Sequence, residues 1–536
     1  MDLVTITIDG QAVQAAKNTT VLEAAKSIGI KIPHYCYHPG LSIVGSCRMC
    51  LVEIEKIPKL QPSCATYVSQ GMVVRTRTPE VLRNRRSVLE FLLLNHPLDC
   101  PVCDQSGECE LQNYYMDHGC YDPRFNENKK KRTKALPIGP HVILDQERCI
   151  LCTRCVRFTQ EVTRTGELGV HERGHLSEIA LFPGIELHNP YSGNVVDVCP
   201  VGALTDRDFR FQCRVWFLGK TNSICPGCSR GCNIEIHYNE RFNPRYHQRR
   251  VHRLKPRFHK EVNGYWICDE GRYGYRAIDA AERLRVPAVR RDGKMQAAGW
   301  NEAIAAVADA LKAVLQTHGP QAVGVLASPQ MTNEELFQLH GLFRVGLGVE
   351  AMPFQAPRRE AVYADDFLVT ADRNPNTRGA ELLGFGGSGT DALMEGCASG
   401  RIRFLYICHH DLLCGYDEDF VREALSKPDF VVFQGSFSPA AADLVHALLP
   451  GAVYAEKAGT FVNVQGRVQR VNAAIPPLER ALPGLEILSR LAQAAGTPVP
   501  SETPEQVFRR IAAQVAAFGG MDYASVGDAG QLISLG

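Results

Sequence analysis

Cysteine is concentrated in one half of this chain, and this distribution constrains the fold more than any other feature of the sequence. Of the 20 cysteines, 17 lie before residue 270, most of them in closely spaced groups. Cysteine-rich disulfide scaffolds are typical of small secreted domains, whereas this chain has 536 residues. Residues 1–10 lack a cationic region followed by an apolar run, so they predict a strand and not a secretory signal. Metal binding is therefore the favoured interpretation of the N-terminal half.

Length and charge narrow the class of protein further. A single hydrophobic core rarely serves more than about 250–300 residues, so several domains are expected. Lys plus Arg (59) balance Asp plus Glu (58), which gives no reason to expect nucleic acid or an anionic membrane as a partner. No run of about 18 apolar residues is present, so the chain is not expected to span a membrane by itself.

Local patterns predict the first secondary-structure elements. Residues 3–8 alternate apolar and polar side chains as a strand does, and residues 9–10 (Asp-Gly) predict a turn. Residues 18–20 (Asn-Thr-Thr) can cap a helix over residues 21–28. Such a small β-rich start resembles a β-grasp ferredoxin.

The middle of the chain is predicted to be helical from Val81 to Leu94 and then loop-like to Asp122. A basic run over residues 129–132 predicts a solvated linker or a surface that contacts a partner.

After residue 276 the pattern changes to strands that alternate with helices, which predicts a parallel α/β sheet. The predicted strands are residues 322–327, 404–408 and 430–433, and the predicted helices are residues 300–315 and 333–343.

The first cysteine group is Cys36, Cys47, Cys50 and Cys64, with the spacing C-x10-C-x2-C-x13-C. Four thiolates on one loop can hold a [2Fe-2S] cluster, and the small residues 45–46 (Gly-Ser) let backbone N–H groups approach the bridging sulphides. A structural zinc site is the alternative interpretation.

The second group is His96, Cys100, Cys103 and Cys109, with the spacing H-x3-C-x2-C-x5-C. One imidazole and three thiolates can ligate a [4Fe-4S] cluster, and replacing an anionic thiolate by a neutral imidazole favours the reduced state. A zinc site of three cysteines and one histidine stays open at this point.

The third group is Cys149, Cys152, Cys155 and Cys199, in which C-x2-C-x2-C is followed after 43 residues by Cys-Pro. In two-cluster ferredoxins this run recurs, and each distant cysteine ligates the other cluster. Residue 159 is threonine here, so the ligands suffice for one [4Fe-4S] cluster.

The fourth group is Cys225, Cys228, Cys232 and Cys268, with C-x2-C-x3-C and a gap of 35 residues that contains a basic insertion over residues 241–260. Three loop thiolates and a fourth that returns from a distance suit a [4Fe-4S] cluster, with zinc as the alternative. The remaining cysteines fit no ligand pattern; Cys120 and Cys213 are expected to be structural or incidental, and Cys397, Cys408 and Cys414 to be buried core thiols.

In order and spacing, these four groups resemble the large iron-sulphur subunit (the bacterial G subunit, 75 kDa-type) of respiratory NADH:quinone oxidoreductase, complex I, over residues 1–274. NAD-linked formate dehydrogenases and hydrogenases are similar over the first two groups but carry a complete two-cluster ferredoxin next. The longer gap before Cys268 and the shorter C-terminal part depart from the family pattern.

The segment Glu456–Gln469 resembles molybdopterin oxidoreductases. The roughly 260 residues after the fourth group are too few for the complete molybdenum scaffold, so the resemblance implies a domain that keeps the fold without molybdopterin.

The resemblance implies a multidomain α+β and α/β protein, with an N-terminal β-grasp [2Fe-2S] ferredoxin, ferredoxin-like 4Fe-4S modules and a reduced molybdopterin-oxidoreductase-like α/β domain at the C-terminus. The expected domains are a 2Fe-2S domain (1–79), a histidine-ligated 4Fe-4S domain (80–120), a ferredoxin-like 4Fe-4S domain (138–217), a 4Fe-4S domain of the Mo/W bis-MGD type (218–274) and the molybdopterin-oxidoreductase-like domain (275–536).

The implied function is electron relay in the peripheral arm of a proton-translocating NADH:quinone oxidoreductase, through one [2Fe-2S] and three [4Fe-4S] clusters. No catalytic residues are expected, because the sequence shows no nucleophile-base pair and no flavin or nicotinamide motif. The implied partners are a flavin- and NADH-binding subunit with its small [2Fe-2S] partner, a two-cluster ferredoxin-like subunit leading to quinone, and indirectly the membrane arm. The implied location is the cytoplasmic side of the inner membrane, as a peripheral protein. A molybdenum-dependent formate dehydrogenase-like enzyme, a hydrogenase-diaphorase subunit and a zinc-bound scaffold are the alternatives.

Overall fold

The computed structural model describes residues 2–122, 124–241, 249–354, 363–386, 389–497, 500 and 502–533. The chain divides into two compact units, Met1–Leu218 and Gly219–Gly536. Within the described ranges, no helix is both long enough and apolar enough to cross a membrane.

The first unit begins with a five-stranded sheet in the order β2-β1-β5-β3-β4, in which β1 pairs antiparallel with β2 and parallel with β5. The predicted turn at Asp9 and Gly10 is confirmed, since both residues have positive φ, as tight hairpin turns require. The side chain of Thr20 accepts a hydrogen bond from the Glu23 N–H and caps the predicted helix. The elements are β1 (Leu3–Ile8), β2 (Gln11–Ala16), α1 (Val21–Ser27), β3 (Leu51–Ile54), β4 (Gln61–Pro62) and β5 (Val73–Arg75).

Two helices follow, α2 (Pro79–Leu93) and α3 (Glu110–His118). The first confirms the helical prediction, but the prediction of a loop up to residue 122 is wrong over α3. Cys109 is the N-cap of α3, and Leu111 is its buried residue, so the helix depends on tertiary packing that the cysteine-rich pattern does not show.

The basic run over residues 129–132 is only partly solvated: Lys131 is exposed, whereas the other three residues are half-buried. The Lys129 ammonium donates to the carbonyls of Leu93 and Leu94 at 2.6 and 3.1 Å, where α2 leaves its last acceptors without helical partners. Arg132 donates to the carbonyls of Ser177 and His175. These side chains therefore hold neighbouring elements together through hydrogen bonds. The cation at the C-terminus of α2 also complements the helix dipole.

The rest of the first unit has a small sheet in the order β10-β7-β6 and a β8-β9 hairpin. A π-helical turn, Phe158–Val162, continues α4 directly. The elements are β6 (Leu136–Pro137), β7 (Val142–Leu144), α4 (Arg154–Arg157), β8 (Leu168–His171), β9 (Glu178–Leu181), α5 (Asn194–Val198) and β10 (Leu204–Asp206).

The second unit begins with a three-stranded sheet in the order β11-β12-β13, followed by a short helix. Its elements are β11 (Leu218–Ile224), β12 (Asn233–Asn239), β13 (Val251–Pro256) and α6 (Asp269–Tyr273). Part of the predicted basic insertion, residues 242–248, lies outside the described residues. The remainder contributes β13, which pairs antiparallel with β12.

A six-stranded sheet forms the centre of the remaining chain, in the order β15-β14-β19-β18-β17-β16. The strands β16 to β19 are parallel as predicted, but β14 pairs antiparallel with β15 and β19, so the sheet is mixed. The elements are β14 (Ala288–Arg291), β15 (Lys294–Ala297), α7 (Trp300–His318), β16 (Val323–Leu326), α8 (Asn333–His340), α9 (Thr377–Leu382), α10 (Thr390–Ala398), β17 (Phe404–Cys408), α11 (Glu418–Ser426), β18 (Phe430–Gly435), β19 (Ala447–Pro450), β20 (Gly459–Val462), β21 (Arg467–Val471), α12 (Gly484–Ala495), α13 (Pro504–Gln514), α14 (Tyr523–Val526) and β22 (Gln531–Leu532).

Helices cover both faces of this sheet. Phe404 and Tyr406 of β17 enter one apolar core, whereas Leu405 and Ile407 enter another. Successive side chains of a strand point to opposite faces, so a strand that is buried throughout lies between two layers. The mixed α and β architecture predicted for the chain is confirmed.

Buried charges connect the segment Glu456–Gln469 to the rest of the second unit. The Glu456 carboxylate pairs with Arg250 at 2.6 Å and with Arg283 at 2.9 Å. Lys457 pairs with Glu335 at 2.7 Å, and both side chains are nearly inaccessible to solvent. The polar residues of this segment thus have structural partners within the unit.

Glu334 in α8 is expected to make stability depend on pH. Burial raises its pKa to about 7, although hydrogen bonds from the Thr460 N–H, the Thr460 hydroxyl and the Tyr523 hydroxyl lower it. Because the folded pKa lies above the unfolded value of 4.5, the contribution of Glu334 to stability is fully present below about pH 4.5. This contribution falls by about 3 kcal/mol as the pH rises to 7.

The Glu334→Gln variant should lack this dependence. The difference in unfolding free energy between wild type and variant, measured by denaturant titration, is expected to change by about 3 kcal/mol between pH 4.5 and pH 7.5. Glu423→Gln on the exposed face of α11 is the control. An identical pH profile for wild type and Glu334→Gln would contradict the assignment.

Candidate metal centres

Three cysteines of the first group lie in the loop between α1 and β3, and Cys64 follows β4. Cys36, Cys50 and Cys64 are buried, and the Cys36 and Cys47 thiols hydrogen-bond to each other, as do those of Cys50 and Cys64. Hydrogen bonding to Cys50, then burial, then the charges of Cys50, Cys36 and Cys47 raise the pKa of Cys64. All four predicted ligands therefore lie together.

Backbone donors face this group, as the small residues of the loop predict. The Tyr35 N–H donates to the Cys47 sulphur at 3.5 Å. After the hydrogen bond from Cys47, hydrogen bonds from Ser46 also lower the pKa of Cys36, which reaches about 5. Gly45 has φ +61°, a left-handed conformation that glycine adopts without steric cost. The loop can therefore stabilise negative charge on sulphur.

The second group brings its three cysteines together. Cys103 and Cys109 are buried and Cys100 is exposed. Burial raises the pKa of Cys109 to about 11, and the charges of Cys103 and Cys100 act on it in the same direction. Asp99, next to Cys100, pairs with Lys134 at 2.7 Å and with Arg148 at 2.9 Å. The loop is thus held from the side of the basic segment.

His96 lies after the end of α2 and is half-buried. Burial lowers its pKa to about 4, and the charges of Arg148 and Lys129 lower it further. The ring is therefore neutral at physiological pH, which is the form of histidine that ligates metals. The charges that act most on the ring are those of Arg148, Lys129, Asp99 and Asp145, and none of them belongs to a cysteine of the second group. The role of His96 as the fourth ligand therefore remains a prediction.

Gly202 places the second group next to the segment after Cys199. A Cβ at this glycine would lie 2.2 Å from the Cys103 sulphur, which is closer than real Cβ atoms approach. We expect Gly202→Ala to displace Cys103 and to reduce iron in the second group, because a ligand sulphur cannot move freely.

The test of Gly202→Ala is the iron content together with the EPR spectrum of the reduced chain. Gly341→Ala is a suitable control, because a Cβ at Gly341 meets nothing within 4 Å. Full iron and an unchanged spectrum for Gly202→Ala would show that the contact has no effect on the site.

The third group forms a closed arrangement. Cys149, Cys152, Cys155 and Cys199 all line one cavity, whose other walls are Leu144, Ile150, Thr153, Ile179, Val201, Ala203 and Leu204. Burial raises the pKa of Cys149 to about 12 and that of Cys199 to about 11. Four thiols in an apolar cavity favour their neutral form until a metal supplies positive charge.

Local backbone geometry explains how three of these thiols reach the same cavity. Leu151 and Thr153 have φ of +53° and +59°, which turns the chain tightly between the cysteines. The Leu151 N–H donates to the Cys149 sulphur at 3.4 Å. Cys155 lies in α4, and Cys199 follows α5 as its C-cap.

The fourth group joins a hairpin loop to a helix N-terminus. Cys225 follows β11 and Cys232 precedes β12, and the Cys225 N–H donates to the Cys232 carbonyl at 2.9 Å. Cys268 is the N-cap of α6 and accepts from the Gly271 N–H at 3.3 Å. A Cβ at Gly271 would lie 2.9 Å from the Cys225 sulphur and 3.4 Å from that of Cys268.

The long gap before Cys268 therefore does not remove it from the group. All four thiols are buried, and burial followed by the charges of Cys225, Cys268 and Cys228 raises the pKa of Cys232. The antiparallel pairing of β13 with β12 returns the chain toward this loop, so the gap is compatible with a shared site.

The donor chemistry suits iron-sulphur clusters. Soft thiolates and a neutral imidazole are ligands of both iron-sulphur clusters and zinc. Among the described residues, no three His, Cys, Asp or Glu side chains are arranged to hold a single metal ion. The assignment of ligands to clusters thus remains a prediction that metal analysis must test.

The other cysteines differ in their environments. Cys397 and Cys408 are buried core thiols, as predicted, but Cys414 is exposed and that prediction is wrong. Cys414 is the last residue of a short 3₁₀ turn after β17. The spacing of cysteines in the sequence does not indicate whether a residue in such a turn is buried. Cys120 is exposed and Cys213 half-buried.

Sequence reasoning missed the residues that hold these groups in place. Gly202, Gly271, Arg154 and Arg157 contact ligands or their neighbours but belong to no ligand spacing. The nearest indication in the sequence is that both arginines flank Cys155.

Family models match five parts of the chain. They are the 2Fe-2S iron-sulfur cluster binding domain (1–79), the NADH-ubiquinone oxidoreductase-G iron-sulfur binding region (85–124), the ferredoxin-like domain of NADH-quinone oxidoreductase subunit 3 (139–205), the molybdopterin oxidoreductase Fe4S4 domain (218–280) and molybdopterin oxidoreductase (283–356 and 370–494). Both 2Fe-2S and 4Fe-4S binding domains are therefore present.

Relatives match over almost the whole chain. The G subunit of NADH-quinone oxidoreductase from Rickettsia felis is 29% identical, over 97% of this chain and 92% of the relative. The mitochondrial 78 kDa subunit of NADH-ubiquinone oxidoreductase of Neurospora crassa is 30% identical, over 95% of this chain and 83% of the relative. A crystal structure of NAD⁺-reducing [NiFe]-hydrogenase is 32% identical over 40% of this chain and 91% of that one, with a TM-score of 0.36. The chain belongs to the family formed by the G subunits of NADH-quinone oxidoreductase.

Proposed function

We propose that this chain relays electrons within NADH:quinone oxidoreductase and that its four cysteine groups hold one [2Fe-2S] and three [4Fe-4S] clusters. The cavity lined by Cys149, Cys152, Cys155 and Cys199 is the single observation that carries this proposal. Its four thiols meet in an apolar space, which is the environment that a thiolate-bound cluster needs.

When bound, each cluster accepts and gives up one electron. The proposed ligands of the [2Fe-2S] cluster are Cys36, Cys47, Cys50 and Cys64. Each of the three [4Fe-4S] clusters has its own set of four ligands. These sets are His96, Cys100, Cys103 and Cys109 for the second group, Cys149, Cys152, Cys155 and Cys199 for the third, and Cys225, Cys228, Cys232 and Cys268 for the fourth.

The chain supplies the environment of these groups. Backbone N–H groups of Tyr35, Leu151 and Gly271 donate to ligand sulphurs and favour their anionic form. Apolar walls such as Leu144 and Ile179 exclude water from the third group. Hydrogen bonds and burial of this kind set the potential at which a cluster is reduced.

The proposed electron donors are the flavin- and NADH-binding subunit and its small [2Fe-2S] partner, and the proposed acceptor is a two-cluster ferredoxin-like subunit that leads to quinone. The chain would act peripherally on the cytoplasmic side of the inner membrane, and proton translocation would belong to membrane partners. Membership of the G-subunit family supports these assignments. No molybdopterin is assigned to the C-terminal domain.

The test is metal analysis of the anaerobically purified chain, with EPR at low temperature during stepwise reduction. We expect about 14 irons per chain with equivalent acid-labile sulphide, no molybdenum, and distinct [2Fe-2S] and [4Fe-4S] signals. About 10 irons would remove one [4Fe-4S] cluster from the proposal. Stoichiometric molybdenum would favour an enzyme of the formate dehydrogenase type, and zinc without sulphide would overturn the relay function.

A further inference from the structure

One helical face in the first unit carries three charged side chains that reach the loop of the first cysteine group. Arg154, Arg157 and Glu161 are spaced i, i+3 and i+7 along α4 and its π-helical continuation, which places them on one side of the helix. Both arginines are buried, with 5% and 7% of their surface exposed. Buried guanidinium groups are costly unless their charge is compensated.

Arg157 connects the first and third cysteine groups directly. Its Nη2 donates to the carbonyl of Cys36 at 2.5 Å and to the carbonyl of Cys152 at 3.3 Å. Its Nη1 donates to the Ser42 carbonyl in the loop of the first group. One planar side chain thus binds the backbone of a proposed ligand from each of two clusters. The five donors of arginine, held in a fixed plane, suit this arrangement.

Arg154 makes the corresponding contacts one turn earlier. Its Nη2 donates to the Tyr37 carbonyl at 2.7 Å, and its Nη1 donates to the Val198 carbonyl at 3.2 Å. The same side chain pairs with Glu110 at 3.5 Å. These three partners directly adjoin Cys36, Cys199 and Cys109, so Arg154 contacts the immediate neighbours of ligands from three cysteine groups.

Glu161 completes the contact on the same helical face. Its carboxylate accepts hydrogen bonds from the Ser42 N–H at 2.8 Å and from the Ser42 hydroxyl at 2.5 Å. The loop of the first group is therefore held at both its acceptor and its donor groups.

The charges are not equivalent. Arg154 has Glu110 as an anionic partner, whereas no carboxylate in the described part of the chain lies within ion-pair distance of Arg157. The partners of Arg157 are backbone carbonyls and the Thr153 hydroxyl. A buried cation needs negative charge nearby to compensate it. Thiolate-bound iron-sulphur clusters on the two neighbouring sets of thiols would supply that negative charge.

We propose that Arg154 and Arg157 are positioning residues that hold the first three clusters in fixed relation, and that Arg157 is a counter-ion shared by the [2Fe-2S] cluster and the ferredoxin-like [4Fe-4S] cluster. This inference rests on the proposed function. A permanent positive charge favours the reduced, more negative form of a nearby cluster and raises its reduction potential. Arg157 therefore raises both potentials together.

The test is a redox titration of the full chain followed by EPR for wild type, Arg157→Gln, Arg157→Lys and Arg173→Gln. Arg173 is exposed in the same unit and serves as the matched control. In Arg157→Gln, the equilibrium constant for reduction of both clusters is expected to fall about tenfold, a shift of about 59 mV for one electron. Arg157→Lys should recover much of the shift because it keeps the charge, and Arg173→Gln should match wild type.

Iron and sulphide are measured on every protein before titration. Wild type without clusters would refute the proposed function itself, whereas intact clusters with unchanged potentials in Arg157→Gln would overturn only the shared counter-ion. A shift confined to one cluster would also overturn sharing. If Arg157→Gln loses iron, the potentials of Arg157→Lys decide. Potentials near those of wild type would support the role of charge. Complete loss of iron from Arg157→Lys, or potentials as low as those of a cluster that Arg157→Gln retains, would oppose it.

Discussion

Replacing Cys155 by alanine is expected to lower iron from about 14 to about 10 atoms per chain and to abolish one [4Fe-4S] EPR signal. Cys155 is one of four thiols that line the same cavity, and it emerges from the middle of α4. Its removal leaves an iron without a protein ligand in a site that apolar side chains surround. The cavity is lined by no cysteine other than these four, so no further thiol is available there to replace Cys155 as a ligand.

Cys120→Ala is the matched control for this experiment. Cys120 lies in the same unit, is exposed, and belongs to none of the four groups. Iron, sulphide and EPR of this variant should equal those of wild type. Full iron in Cys155→Ala, or an equal loss of iron in both variants, would contradict the assignment of the third group.

Lys457→Met is expected to destabilise the second unit by about 3–5 kcal/mol, because it leaves a buried carboxylate without its cation. Glu335 is almost completely buried and pairs with Lys457 at 2.7 Å. Burial raises the pKa of this carboxyl, but the charge and hydrogen bond of Lys457 outweigh it, and the pKa lies below its usual value. The measurement is the free energy of unfolding from a denaturant titration that is monitored by far-UV circular dichroism.

Two further variants separate the buried charge from the loss of a side chain. Adding Glu335→Gln to Lys457→Met removes the unpaired charge, so the double variant should be more stable than Lys457→Met alone. Arg509→Ala breaks an exposed i, i+4 pair with Glu505 and should cost only about 0.3–0.5 kcal/mol. Equal effects of Lys457→Met and Arg509→Ala would refute the importance of burial.

Local spacing was enough to predict which cysteines meet when they are close in sequence. C-x2-C-x2-C at Cys149 and C-x2-C-x3-C at Cys225 limit how far their thiols can separate, and the structure brings each set together. The same was true of the cap at Thr20 and of the parallel strands of the second unit, where short-range hydrogen bonding and the alternation of strands with helices determine the structure.

Features that depend on distant partners were not predictable in the same way. The basic run at Lys129 is polar enough for a linker, yet it binds the end of α2 some 35 residues earlier. Cys397 and Cys414 both fit no ligand spacing, yet Cys397 is buried and Cys414 is exposed. The antiparallel pairing of β14 with β19 joins segments more than 150 residues apart, and strand composition does not encode that partner.

The sequence by itself determined the number and spacing of the cysteine groups, the family resemblance and most of the elements, because these depend on residue type and short spacing. Only the tertiary structure decided which backbone carbonyls Arg154 and Arg157 reach, how Gly202 approaches Cys103, and which buried charges pair. The physical reason is that a short spacing restricts distance through the covalent chain, whereas contacts across more than 100 residues are set by how the whole unit packs.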